Sequence, residues 1–460
     1  MPYLFKRYYS FRNIGFFVGE GGVIFLVLIG VNLLFKGPVI FLLELPECIG
    51  QALLVVFTFQ LCLYFFDLYE LRENIPLPVT ATRITKAFGV GCIVLAGFYY
   101  VLPTVVIPTK IFWTSYFIIY LLVLIWRAAY FSLLQRRIFT QALAILGTGK
   151  LAEDITREIE ERYDTPYRIV AYIGSEKPLY NPGGRPVIHQ LGDLESIMVS
   201  SKIDRIVVAL DDRRGETPTQ KLLSYKLQGV NIEQGVNFYE KLAAKILVEK
   251  VDPSWIFFSE GFTISKIHRF GKRSSDILLS LFLLVLTLPV MIISAAIIKI
   301  ESKGPVFYRQ ERVGKGRVTF KVLKFRSMVE DAEKNGAVWA TANDSRVTRY
   351  GEFMRKTRID ELPQLINVLK GEMSLVGPRP ERPVFVEKLK ELIPYYDIRH
   401  DIRPGVTGWA QVCYRYGASE EDALRKLEYD LYYMKHMSIP LDLLVIFKTV
   451  KTVLFDRGGQ

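Results

Sequence analysis

Along the first third of the chain, uncharged apolar runs alternate with short polar links. They fall at roughly 14–35, 49–66, 87–105 and 111–131. Each approaches the ~20 residues that a membrane-spanning helix needs, the third only marginally. Basic residues flank these runs unevenly. Lys6, Arg7 and Arg12 precede the first, Arg72, Arg83 and Lys86 lie between the second and third, and Arg136 and Arg137 follow the fourth. The other two links add little beyond Lys36 and Lys110. An excess of Lys and Arg marks cytoplasmic loops, so the pattern places the N-terminus and everything after residue 135 in the cytoplasm. No signal-peptide pattern opens the chain: "MPYLFKRYYSFRN" reads as a basic, aromatic flank to a span. A soluble core built from these segments is the alternative.

The texture changes from residue 141. "QALAILGTGKLAEDITREIEERY" is an apolar strand, a Gly-x-Gly turn and an amphipathic helix, and "YRIVAYIG" and "IDRIVVAL" follow as further strands. This alternation predicts a parallel, Rossmann-like α/β domain over residues 136–250. Gly147, Gly149 and Ala152 suit a nucleotide-binding turn, but a Gly-x-Gly alone is a weak signal. The next strand ends in Gly174-Ser175, without the acid that would grip a ribose, whereas "IDRIVVAL" is followed by Asp211 and Asp212. A bound dinucleotide and a degenerate module serving assembly or regulation both remain open.

A fifth apolar run, residues 277–298, is uncharged and long enough to span. Pro289 sits near its middle, where it removes a backbone donor and kinks a helix. Basic residues flank it on both sides: Lys266, Arg269, Lys272 and Arg273 before, Lys299, Lys303, Arg309 and Arg312 after. A simple crossing would put one basic flank outside. A helix–break–helix hairpin over about 275–299, entering and leaving on the cytoplasmic face, satisfies both flanks if protein covers the broken backbone. A kinked spanning helix is the alternative.

Composition sharpens this picture. The 460 residues carry 59 Lys and Arg against 47 Asp and Glu, a net charge of +12, and half the residues are hydrophobic. Mean hydropathy is +0.21. A basic, apolar chain suits an anionic membrane surface or phosphorylated substrates; no nucleic-acid partner is expected. Cys48, Cys62, Cys92 and Cys413 lack metal spacing and imply no disulfide framework.

The densest chemistry lies in "RKTRIDELPQLINVLKGEMSLVGPRPERP". Leu362, Leu365, Ile366 and Leu369 recur at helical spacing, Pro363 suits a first turn and Gly371 a C-cap. Asp360 is therefore expected near a helix N-terminus, where the dipole and neighbouring arginines favour its ionised form. Such a carboxylate can attack phosphorus, and Glu361 beside it suits Mg²⁺ that neutralises a diphosphate. A capping acid with a solvated neighbour is the plainer reading of two adjacent acids. Their surroundings weaken it: Arg379 fixed between two prolines, Arg358, Lys324 and Arg326 in "KFRSM", and the basic "NDSRVTRYG" and "GPVFYRQERVG". His400 and His436 lack partners at metal-ligand spacing and are expected to be structural.

Together with "KRSSDILLS", Pro289, "RPGVTGWAQV" and "YDLYYMKHMS", these motifs make residues 266–460 resemble the bacterial sugar transferase family. These are polyprenyl-phosphate hexose-1-phosphate transferases that begin exopolysaccharide assembly. The four spans and the Rossmann-like domain resemble, less specifically, the N-terminal half of the family's large members. The resemblance implies a membrane α-helical bundle over 1–135, a cytoplasmic α/β domain, a linker over 251–265, and a mostly α, monotopic catalytic domain over 266–460. Its re-entrant membrane hairpin would not cross the bilayer, and the protein would sit in the bacterial inner membrane.

On the matching positions, Asp360 would be the nucleophile, attacking the phosphate nearest the sugar of a UDP-sugar and expelling UMP. Glu361 would bind Mg²⁺. The phosphosugar would then pass to undecaprenyl phosphate. Arg379 would hold phosphate or nucleotide, with Arg358, Lys324 and Arg326 as further candidates, and Lys272 and Arg273 would anchor the hairpin at lipid headgroups. UDP-glucose is the default donor, and a homodimer through the α/β domain is compatible with this reading. Two other functions compete. A membrane-anchored nucleotide-sugar dehydratase or epimerase would need a second glycine-rich turn and a Tyr-x-x-x-Lys pair, neither of which is found after residue 250. A non-enzymatic scaffold would have no use for Asp360, Glu361 and Arg379 together.

Overall fold

The computed structural model describes residues 3–4, 7–8, 11–71, 76–136, 140–174, 176–189, 203–211, 218–251, 253–259, 261–263, 265–329, 346–414, 417 and 419–455. Lys6, Arg72, Arg137, Ser175, Asp212 and the Asn343, Asp344 and Ser345 of "NDSRVTRYG" lie outside them. Tyr8–Gly235 form one compact unit and Val236–Gln460 the bulk of a second.

In the first unit, four apolar helices are long enough to cross a membrane: α1 (Phe11–Leu43), α2 (Leu45–Phe65), α3 (Leu77–Val101) and α4 (Thr109–Gln135). Two bounds differ from the hydropathy reading by eight residues or more. α3 starts ten residues before 87, because Pro78 suits a first turn and Arg83 and Lys86 are tolerated on helix surface. α1 continues to Leu43, with Gly37 at φ 75° breaking the helical path ahead of Pro38. Ile24, Phe59, Phe88, Ile119 and Val123 make the bundle core. A charge is buried there as well: Arg127 Nε lies 2.7 Å from Glu20 Oε1, with both side chains almost fully enclosed. Arg127 also donates to the Leu68 carbonyl, so the cation fixes α4 against both α1 and the end of α2.

The α/β domain is a five-stranded parallel sheet of β1 (Gln141–Leu146), β2 (Tyr167–Ile173), β3 (Val187–Ile188), β4 (Arg205–Val208) and β5 (Asn231–Gln234). The spatial order is β3-β2-β1-β4-β5, a doubly wound arrangement, with α5 (Lys150–Glu160) and α6 (Thr219–Leu227) among its helices. β1 is buried from Ala142 to Leu146, as expected of a central parallel strand.

The second unit opens with α7 (Gly235–Ala243) and its sequel, which pack onto α11 (Glu420–His436). Glu240 takes Lys435 and His436 as partners, and the Ile246 amide donates to the Glu428 carbonyl. α8 (Lys266–Glu301) is one 36-residue helix with Pro289 inside it. The break expected there does not interrupt the helix. Both of its ends dock on this unit, while Leu281, Phe282, Val285 and Leu286 between them are at least half exposed. A hairpin of β6 (Phe307–Val313) and β7 (Thr319–Phe325) follows. Then come α9 (Arg349–Thr357), α10 (Gln364–Lys370), β8 (Ser374–Val376) paired in parallel with β9 (Gly405–Thr407), α11, and α12 (Ile439–Phe455).

Lys272 and Arg273, expected at headgroups, spend their donors on protein instead. Arg273 donates to the carbonyls of Val368 and Leu369 at 2.7 and 3.0 Å, closing the C-terminal end of α10, where a cation opposes the negative end of the dipole. Lys272 bonds the Val376 carbonyl and pairs with Asp442 at 2.8 Å. One turn on, Asp276 accepts from the Ser374 hydroxyl and the Leu375 amide. Polar groups at the start of α8 thus bolt it to β8.

Candidate active site

The carboxylate pair sits in a single 3₁₀ turn between two helices. α9 closes on Arg358, whose φ of 58° is left-handed, a conformation costing a non-glycine residue ~1 kcal/mol. Ile359–Glu361 then form the turn. In 3₁₀ geometry residues three apart share a side. Ile359 and Leu362 both pack on Met291, Ile298, Phe325 and Met354, which leaves Asp360 and Glu361 to face elsewhere. Both are buried, at 8% exposure each.

The two carboxylates have different partners. Glu361 Oε1 receives Arg379 Nη2 at 2.9 Å and Lys324 Nζ at 3.2 Å, with Arg358 Nη1 at 4.0 Å. Asp360 has a buried oxygen, Oδ1, with no hydrogen-bond partner. Burial would raise the pKa of Glu361, but the charges of Arg379, Lys324 and Arg358 overcome it and hold the carboxyl well below its usual range. Burial, reinforced by the charge on Glu361, pushes Asp360 up to about 6 against the pull of Lys324, Arg358 and Arg355. The expectation that helix dipole and arginines favour ionised Asp360 is thereby reversed. Asp360 lies in the turn ahead of α10, and the nearest cations are drawn to Glu361. Asp360 is thus the weaker acid of the pair, and its ionised carboxylate is desolvated and incompletely paired. Lys324 is half-buried, and desolvation lowers its pKa despite the pull of Glu361.

Of the remaining sequence candidates, Arg379, Lys324 and Arg358 converge on Glu361, whereas Arg326 does not join them. Arg326 Nη2 donates to the Ser302 carbonyl and hydroxyl at 2.9 and 2.8 Å, at the C-terminal cap of α8.

The backbone around Arg379 is held by contacts that the sequence reading missed. Arg399, 6% exposed, donates to the Arg379 carbonyl at 3.1 Å and pairs with Asp430 at 2.8 Å. Arg312 donates to the Pro380 carbonyl at 3.0 Å, and the Gly405 amide to that of Pro378 at 2.9 Å. Arg399 stands in "YYDIRHDIRPG", where it resembles any surface cation; only burial opposite Asp430 reveals its part. His400 beside it is also buried, and burial together with the Arg399 charge lowers it to about 4.

Among the described residues no cluster of three or more His, Cys, Asp or Glu could cage a metal. Mg²⁺ needs no such cage. It commonly takes one or two carboxylates and completes its shell with water and substrate phosphates. Two adjacent buried carboxylates, one with an orphaned oxygen, fit that donor set.

In the α/β domain, the Asp211 carboxylate accepts from the Lys150 and Leu151 amides at 2.6 and 3.3 Å. A Cβ added to Gly149 would lie 1.9 Å from Asp211 Oδ2. The N-terminus of α5, where a dinucleotide would lay its pyrophosphate, holds the domain's own acid.

Known proteins match both units. The family described as "Bacterial sugar transferase" matches residues 267–456, and the one described as "CoA-binding domain" matches residues 64–226. A UDP-N-acetylgalactosamine-undecaprenyl-phosphate N-acetylgalactosaminephosphotransferase of Aeromonas hydrophila is 50% identical over 196 residues, 43% of this chain and 46% of that one. An undecaprenyl-phosphate glucose phosphotransferase of Komagataeibacter xylinus is 32% identical over 334 residues, 70% of this chain and 61% of that one. An exopolysaccharide production protein of Rhizobium leguminosarum is 42% identical over 194 residues, 41% of this chain and 97% of its own. The chain thus spans about half the length of the first two relatives.

Proposed function

The chain belongs to the bacterial sugar transferase family, and from that premise we propose that it transfers a sugar 1-phosphate from a UDP-sugar to undecaprenyl phosphate, releasing UMP. The buried, incompletely paired Asp360 carboxylate beside a charge-matched Glu361 supports this reading above all. An Asp360 oxygen attacks the sugar-bearing phosphorus, and the bond from that phosphorus to the bridging oxygen breaks. UMP departs with both electrons of that bond, and an acyl phosphate links the sugar to Asp360. An oxygen of the polyprenyl phosphate then attacks the same phosphorus and returns the Asp360 carboxylate, giving a polyprenyl diphosphate sugar. Desolvation keeps the nucleophile reactive, and Arg379, Lys324 and Arg358 offset the repulsion between it and the anionic donor. Mg²⁺ held by Glu361 would supply further neutralisation of the diphosphate.

Relatives named for N-acetylgalactosamine and for glucose both match this chain, which argues for testing UDP-N-acetylgalactosamine beside the default UDP-glucose. The docking of both α8 ends on one unit supports an α8 that enters and leaves the membrane on one face. The basic flanks and links support the cytoplasmic side of a bacterial inner membrane for that face. Cysteine labels before residue 272 and after 299 should therefore react from the same side of intact cells. The deciding assay incubates the protein with undecaprenyl phosphate, Mg²⁺ and single UDP-sugars. UMP release from one donor, dependent on the lipid and lost in Asp360→Asn, is expected. Release of UDP would mean ordinary glycosyl transfer and overturn the phosphoryl chemistry.

A further inference from the structure

Neither family match reaches residues 227–266, yet Val236–Val251 inside that stretch are packed as core of the second unit. Val236, Phe238, Tyr239, Leu242, Ile246 and Val248 are all buried. Polar contacts fasten the same segment to α11. Glu240, 5% exposed, meets Lys435 Nζ at 2.8 Å and His436 Nε2 at 2.6 Å. Lys245 pairs with the fully buried Glu428 at 3.2 Å, and the Ile246 amide donates to the Glu428 carbonyl at 3.0 Å. The Ala244 carbonyl accepts from the enclosed Trp409 indole at 3.0 Å, and Trp409 stacks on Tyr432 of α11. Ala244 holds a φ of 54°, which a residue with a Cβ keeps only where its surroundings fix it.

These contacts fall on one face of α11, where Glu428, Tyr432 and His436 are spaced four apart. Asp430 and Tyr433, three apart, lie on a second face, with Asp430 about 200° round the axis from Glu428. From there Asp430 pairs with Arg399, which donates to the Arg379 carbonyl. Tyr433 donates to the Val376 carbonyl at 3.1 Å. α11 therefore grips both ends of the short loop from Val376 to Arg379, the loop that delivers the Arg379 guanidinium to Glu361. Trp409 reaches the same loop by way of β9: two residues before it, the Thr407 carbonyl accepts from the Gly377 amide at 2.9 Å. At the far end of the segment, the Val251 carbonyl accepts from the Tyr395 hydroxyl at 3.3 Å. The next residue, Tyr396, accepts from Arg399 at 2.6 Å.

We propose that Val236–Val251 are a positioning element of the transferase, which seats α11 on one face so that the other keeps Arg379 aimed at Glu361. A packed helix carries a displacement from one contact to the next, and a shift of ~1 Å in a substrate-holding group can cost on the order of a hundredfold. Glu240 and Lys245 act through the backbone that carries Arg379 and not on the reacting atoms. The inference rests on the transferase reading above.

The test uses the full-length protein in nanodiscs. It reads the Kd for UDP with Mg²⁺ by calorimetric titration, beside UMP release from UDP-sugars. Glu240→Gln and Lys245→Met together remove the charges that tie the segment to α11 and keep the side chains near their size. This double variant should bind UDP at least tenfold more weakly. In an Arg379→Lys background, which keeps the main-chain carbonyl that Arg399 holds, the same two changes should alter Kd less than threefold. Equal losses in both backgrounds would mean that the segment stabilises the unit without acting through Arg379, and would overturn the proposal. So would an unchanged Kd in the double variant. Should the double variant fail to fold, Lys245→Met alone carries the comparison, with at least a threefold loss expected in the first background and none in the second. A wild-type protein giving no UMP with any UDP-sugar would instead remove the transferase reading, and the inference with it.

Discussion

Replacing Asp360 with Asn should abolish turnover and make the protein more stable at neutral pH. The folded state raises this carboxyl from 3.8 to about 6, so its ionised form is disfavoured by folding. At 1.36 kcal/mol per pKa unit the penalty is about 3 kcal/mol, an upper value because water entering the site would relax it. The sign follows from the direction of the shift. Below about pH 3 the side chain is protonated in both folded and unfolded chains and costs nothing; the penalty builds between 3.8 and about 6. As pH rises through 6 the folded protein must carry the buried charge, and the penalty is complete by about pH 7. Asparagine keeps the shape and never ionises. Its amide brings an extra donor whose burial also costs something, but that cost does not vary with pH.

The quantity to measure is therefore the change with pH in the difference between variant and wild type. Thermal unfolding in nanodiscs at pH 4.5 and at pH 8 supplies it. The advantage of Asp360→Asn should grow by about 2 kcal/mol across that interval, because about 1 kcal/mol of the penalty is already present at pH 4.5; the change is worth roughly 4–8 °C for a unit of this size. Titrating groups that do not face Asp360 are common to both proteins and cancel, and Glu361 stays ionised in both across this range. A Tm difference that is the same at both pH values would show that Asp360 carries no buried charge, and the argument for a primed nucleophile would fail with it.

Three further outcomes are expected. The value of kcat/KM for the nucleotide sugar should rise with pH through an apparent pKa near 6, reporting ionisation of Asp360 in the free enzyme; a flat profile from pH 5 to 8 would contradict the assignment. Glu361→Gln leaves Lys324, Arg379 and Arg358 facing a neutral group, so turnover should collapse and stability fall by about 3–5 kcal/mol, read by denaturant unfolding of the purified protein. Asp211→Ala should cost ~1 kcal/mol by uncapping α5, and calorimetric titration of the unaltered protein with NAD⁺ or coenzyme A should give no heat of binding while Asp211 fills that helix end.

The sequence made the architecture legible wherever hydropathy and period suffice. Four apolar runs became four helices, and the strand–turn–helix at 141–160 became the centre of a parallel sheet. Gly371 closes α10 in the left-handed conformation, as the helical spacing implied. Partnership was less legible, because a cation's sequence neighbours do not say which anion it meets. Lys272 and Arg273 look like membrane-flanking residues from spacing alone. Their partners, Asp442 and the Val368 and Leu369 carbonyls, lie 95 to 170 positions away. The same gap hid Arg399 and Asp430 behind Arg379, and the pairing of Glu20 with Arg127 across the bundle.

The division of labour between Asp360 and Glu361 depends most on three-dimensional placement. As neighbours in sequence they share every local signal: the same arginines, the same proline after them, the same oncoming helix. What separates them is a tight turn pinned by Ile359 and Leu362, which presents one carboxylate to Lys324 on a strand and Arg379 in a proline-locked loop, while an oxygen of the other stays unpaired. Opposite shifts in pKa follow from that one difference. Glu361 becomes a fixed anion that organises cations, and its charge helps to raise Asp360. The pair thus acts as a unit, in which the residue that collects the positive charge also keeps its neighbour a reactive, incompletely compensated base.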